Sequence, residues 1–144
     1  MTVRKTSNPG FYGLGQGTVT KELTFSNDTG TVSLFTVTGD VLVRIVCVCK
    51  TNVASAAAGS IEMGVSGDTD AMIAITLGTD IDANEIWTDS TPTVNIESLD
   101  TMRSYIISNG DDVILTLSAQ IDSGAITFYC FWTPLSAGAT VVAA

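Results

Sequence analysis

The chain is patterned in twos. Through residues 40–50, DVLVRIVCVCK, Val41, Val43, Ile45, Cys47 and Cys49 share one face of an extended strand, and Leu42, Val46 and Val48 share the other. A strand wet on one side alternates apolar with polar. Here only Arg44 and Lys50 interrupt the second face, so the segment predicts a central strand covered on both sides, or covered by another protein chain. Residues 125–132, AITFYCFW, repeat the pattern: Ile126, Phe128, Cys130 and Trp132 lie opposite Thr127, Tyr129 and Phe131.

Shorter alternating runs fill the space between. Strands are predicted over 18–26 and 31–38, separated by a turn at NDTG (27–30), and then over 41–50. The small-residue stretch 51–60 reads as a loop. Strands follow at 60–66, with Ile61, Met63 and Val65 inward, and at 71–77, with Ile73, Ile75 and Leu77 on one face. Val94 and Ile96 mark a short strand, and 102–108 another. Asn109-Gly110 between apolar runs is the strongest hairpin signal in the chain, with Val113, Leu115 and Leu117 beyond it. Turn signals at this spacing predict an all-β antiparallel sandwich of 8–9 strands, jelly-roll-like or immunoglobulin-like. Residues 1–17 read as an extended arm, with Pro9, Gly10, Gly13, Gly15 and Gly17 around Phe11 and Tyr12. The sandwich domain spans 18–134, and 135–144 form a small, apolar, uncharged tail.

Composition sharpens this picture. Of the 144 residues 45% are hydrophobic and 15% charged, below the usual quarter or so for charged residues. No apolar run reaches the length of a membrane helix, and MTVRKTSNPG has no apolar stretch behind its basic pair, unlike a secretory signal. Apolar excess without a membrane span implies buried contacts between subunits. The balance of 15 acidic to 6 basic residues, net −9, repels phosphate backbones and argues against direct nucleic-acid binding.

Candidate chemistry is sparse. With no histidine, Ser-His-Asp, Cys-His and histidine metal sites cannot be built within the chain. The three cysteines, Cys47, Cys49 and Cys130, read as small buried hydrophobes in a protein folded in a reducing cytoplasm. Asp80, Asp82 and Glu85 with Trp87 could form a carboxylate pair beside a sugar platform, although acids are ordinary in turns. Asp80, Asp82 and Asn84 copy the first ligands of a calcium loop. Glu85 then replaces the required glycine, and Thr91 stands where the bidentate acid belongs. These readings assign no catalytic residue, no cofactor and no metal.

Three passages, TVTGDVLVRIVCVC (36–49), TDIDANEIWTD (79–89) and ITFYCFWTPLSAGATVVAA (126–144), resemble a group of small β-rich virion proteins of tailed bacteriophages that decorate or cement the capsid. The resemblance spans roughly residues 30–144. It implies a structural, non-enzymatic role on the outside of a phage head. The protein would be made in the host cytoplasm, assembled as a homo-oligomer, often a trimer, and bound to the major capsid protein without nucleic acid or membrane. The interface residues expected on this reading are Phe11 and Tyr12 in the arm, Val46 and Val48, Tyr129 and Phe131, and Val141 and Val142 in the tail. The alternatives are a carbohydrate- or receptor-binding fibre module built around Trp87, and a tail or head-completion component.

Overall fold

The computed structural model describes residues 17–144, Thr101 by its backbone only. Among these residues the protein is all-β. The strands are β1 (Gly17–Thr38), β2 (Val41–Ala54), β3 (Ser60–Val65), β4 (Asp68–Leu77), β5 (Glu85–Trp87), β6 (Thr93–Val94), β7 (Tyr105–Ile107), β8 (Val113–Pro134) and β9 (Thr140–Ala143), with two single-turn 3₁₀ helices at Gly78–Asp80 and Leu99–Thr101. The nine strands form one antiparallel sheet curled into a half-barrel. The all-β antiparallel class is as expected; the finer expectation of a two-sheet sandwich is not confirmed by this one curled sheet.

The organising strand is β8. One of its edges pairs with β1 along nearly the whole length, from Gly17↔Trp132 to Phe35↔Val113. Its other edge pairs with β3 over residues 113–117 and with β2 from Ser123 to Pro134. β4 extends the sheet beyond β3, β9 pairs with the second half of β1, and β5 and β7 pair with the far edge of β2. Residues 135–144 thus enter the sheet through β9.

Local chemistry explains where β1 and β8 bend. The stretch 27–30 does not end a strand. Asn27 (φ 61°) and Gly30 (φ 73°) take left-handed conformations that a short amide side chain and a glycine accommodate. They flank a register shift between Asp28 and Gly30, where β8 spans four residues, from Ile121 to Leu117, against two of β1, and β1 continues through it. On β8, Gly124 has φ 124°, and a Cβ there would fall 2.7 Å from Val53 Cα and 2.9 Å from the Asn52 carbonyl oxygen. Asp122 braces this corner by accepting from the Ala56 N–H at 2.6 Å and from the Gln120 amide at 2.7 Å. Those two bonds hold its carboxyl below the ordinary range.

Asn109-Gly110 forms a turn with both residues at positive φ (59° and 70°), as the sequence implies. The strands on either side do not pair with each other: β7 joins β2, while β8 joins β1, β2 and β3. The turn instead docks on the one before β2. Gly110 N–H donates to Gly39 O at 2.9 Å, and Asn109 N–H donates to Asp40 Oδ1 at 3.0 Å. It is an arch between two parts of the sheet.

The concave side holds the core. β2 contributes Val41, Val43, Ile45, Cys47 and Cys49, and β8 contributes Ile126, Phe128 and Cys130, all buried. On β4 the expected common face of Ile73, Ile75 and Leu77 breaks after Ile73. The pairs Ile61↔Thr76 and Met63↔Ile73 differ in register, which marks a bulge. One extra residue reverses the faces, so Thr76 turns inward while Ile75 (58% exposed) and Leu77 (39%) turn out.

Replacing Gly124 with alanine strains a left-handed position and drives a methyl group into β2. The expected loss is about 1–3 kcal/mol of unfolding free energy in urea titrations followed by circular dichroism.

Candidate functional site

Because β2 sends its odd residues inward, its even residues line the convex side. The register aligns them with the outward residues of both neighbours. Val46 lies opposite Tyr129, Arg44 opposite Phe131, and Val48 opposite Thr127. On the other flank of β8, Tyr129 faces Thr20, Phe131 faces Thr18 and Thr127 faces Glu22. Past β2, Leu42 faces Ile106 of β7 and Val48 faces Ile86 of β5. The result is an outer wall whose middle is apolar and whose β1 margin is threonine-rich. All nine strands of the described chain belong to this one sheet, so none is left to form a second layer over the wall.

Leu42, Arg44, Val46, Val48, Tyr129 and Phe131 are half-buried, and Ile106 stands 70% exposed. Thr127 differs from the rest. It is 5% exposed, and its hydroxyl has no hydrogen-bond partner among the described residues. A buried hydroxyl left unpaired is costly, about 1–3 kcal/mol, and is rare in finished structures.

Val46, Val48, Tyr129 and Phe131 therefore come together on one surface. Val141 is buried in the core of its own chain, while its neighbour Val142 is 52% exposed on β9, away from the wall. Phe11 and Tyr12 lie outside the described residues. Sequence reading missed Ile106 and a second apolar feature, the segment running from the end of β6 to β7. There Val94 (55%), Ile96 (80%) and Leu99 (64%) project outward. That lobe is held by its own hydrogen bonds: Asn95 N–H donates to Asn84 O at 3.2 Å, Thr93 Oγ1 to Glu97 at 2.6 Å, and Asp100 N–H to Ser98 Oγ at 3.1 Å. Large aliphatics in turn-like, acid-rich sequence were the available signal.

The stretch 79–89 is scaffolding for β5. Trp87 is wholly buried, and its indole N–H donates to Thr76 Oγ1 at 2.9 Å, so it offers no platform for a sugar. Asn84 takes φ 71° and donates its N–H to Cys49 O at 3.0 Å, while Glu85 accepts from the Asp82 N–H at 2.7 Å. These groups close a turn on themselves. Among the described residues, no three Asp, Glu or Cys side chains gather as a metal site. A surface pocket of about 330 Å³ beside β4 is lined by Met63, Met72, Asp70, Asp89, Arg103 and Tyr105. The Tyr105 hydroxyl donates to Met72 O at 3.0 Å, and burial raises its phenol above the ordinary value.

Cys47, Cys49 and Cys130 are unbridged and buried. Burial raises the Cys47 thiol, with a smaller push from Cys130. It also lifts Cys49 to about 11 and Cys130 to about 12, from an ordinary 9.0. Such thiols are poor nucleophiles at neutral pH.

No family model matches the chain, and no curated protein or solved structure is similar enough to show kinship.

Two outcomes follow. Trp87→Phe should cost about 1–3 kcal/mol in chemical denaturation, since it removes a buried hydrogen bond and ring volume; added glycans should leave native tryptophan emission unchanged. The thiols should resist a maleimide at pH 7 in the native protein and react fully in denaturant. They ionise later in the fold than in the unfolded chain, so their contribution to stability is complete below about pH 8.5 and fades as pH rises toward 11–12. Thermal midpoints across pH 8–11 check this sign.

Proposed function

We propose that this chain is a structural component of a tailed-bacteriophage virion, a decoration or cement protein that binds the outside of the head as a homo-oligomer and has no catalytic role. The observation that carries the reading is the outer wall. A single curled sheet hides one face of each strand, and here the other face is also apolar across β2 and β8. Solvent shielding of that face falls to another chain, as in interfaces between permanent partners.

Two further points support the reading. The three passages that resemble phage decoration proteins are neighbours in space: 126–134 on β8 pairs with 41–49 on β2, which pairs with β5, and 36–38 on β1 pairs with β9. Two of the passages therefore meet at the wall, along the β2–β8 pairing. The lobe carrying Ile96 and Leu99 supplies a separate apolar contact suited to the shell protein, while the acidic remainder of the surface suits a solvent-facing exterior. Burial of Trp87 removes the aromatic platform on which a glycan-binding fibre module would depend.

The test is co-purification with mature heads. The protein should sediment with intact particles, be absent from isolated tails, and leave a head that breaks at lower temperature when it is stripped away. Recovery with tails, or heads of unchanged strength without it, would contradict the assignment.

A further inference from the structure

We propose that a second copy of this chain packs face to face on the outer wall about a two-fold axis through Tyr129, so that Arg44 of each copy pairs with Glu22 of the other. The proposal rests on the structural role above and adds the contact and its symmetry.

The strand register carries the geometry. Tyr129 lies at the centre of the wall, with Thr20 on one side and Val46 on the other. Glu22 is one strand over and level with Thr127, two residues before Tyr129. Arg44 is one strand over on the opposite side and level with Phe131, two residues after it. The two charges are therefore mirror-placed through Tyr129. With strands about 4.8 Å apart and a rise of about 3.3 Å per residue, each lies about 8 Å from the centre. A two-fold axis in the plane of the interface, perpendicular to the Glu22–Arg44 line, sets each arginine over the other copy's glutamate. On those spacings the strands of the two copies cross at about 70°, near the orthogonal class of sheet packing.

Two observations favour a second copy as the occupant. The first is charge. The chain carries net −9, so two copies repel over most of their surfaces. On the wall's strand positions Glu22 is the sole carboxylate, against Arg44 and Lys50, so this face meets its own kind with least repulsion. The second is the centre itself. On the axis Tyr129 meets Tyr129, flanked by Val46, Val48 and Phe131, which gives the desolvated aromatic middle that carries affinity in protein interfaces. Arg44 is held at the margin by its Nε–H bond to Ser104 Oγ at 3.2 Å, which leaves its terminal N–H groups for the partner.

Sedimentation equilibrium of the full chain tests the contact by charge exchange. The unaltered chain should be a reversible dimer of twice its 15.0 kDa. Arg44→Glu and Glu22→Arg should each weaken dimerisation about tenfold or more, and the two together should restore it to within about threefold. Circular dichroism confirms that each variant folds. A combined variant that dissociates more than either single one overturns the proposal, as does a monomer at all concentrations. A trimer indifferent to both substitutions overturns the two-fold contact while leaving the head-binding role standing. A dimer whose protein never sediments with heads does the reverse. A chain that dimerises only after residues 1–16 are removed shows that those residues occupy the wall, and also overturns it.

Discussion

The structure depends on the hydrogen bonding of β8 along both edges. Twenty-two residues, Val113–Pro134, are paired with β1 on one side and with β3 and then β2 on the other. Every other strand reaches the sheet through these partners. The arrangement places every strand of the described residues in one layer. A layer curled on itself encloses its concave side and leaves its convex side to whatever lies outside. Side chains alternate strictly along a strand, so an apolar residue that is not on the concave side must be on the convex one. The composition of the outer wall is thus a direct consequence of two-faced strands placed in a single sheet.

Much of this was legible in the sequence. Val41, Val43, Ile45, Cys47 and Cys49 of β2 and Ile126, Phe128 and Cys130 of β8 lie in the core as their alternation requires, and β3 keeps Ile61 and Met63 inward. The all-β class follows from the spacing of turn signals. Pairing partners and layer count do not, because both are set by contacts between distant residues. Asn27, Gly30, Asn109 and Gly110 show why. Each has the positive φ its type allows, but a left-handed residue serves a register shift between β1 and β8 or an arch between β7 and β8 as readily as a hairpin. On β4 one bulge reversed the faces of Ile75, Thr76 and Leu77, and nothing in the local pattern marks it.

The candidate surface was partly legible for the same reason. Val46, Val48, Tyr129 and Phe131 could be assigned to the second face of their strands, and the register brings them together. Whether another layer of the same chain would cover them depended on long-range pairing. Trp87 looked like a surface aromatic because acids surround it in sequence; the backbone turn at Asn84 and the Thr76 hydroxyl draw it inside instead. Ile96 and Leu99 were hidden by the opposite effect, apolar side chains held outward by a network of short polar residues.

The central claim is that another copy finishes the shielding of the outer wall. Hydroxyl-radical labelling of the wall across a protein concentration series tests it most directly, with the exposed Ile96 and Leu99 as internal controls. Labelling of Tyr129 and Phe131 should fall severalfold as concentration rises while the lobe stays unchanged. Wall labelling that is the same at every concentration would contradict the account.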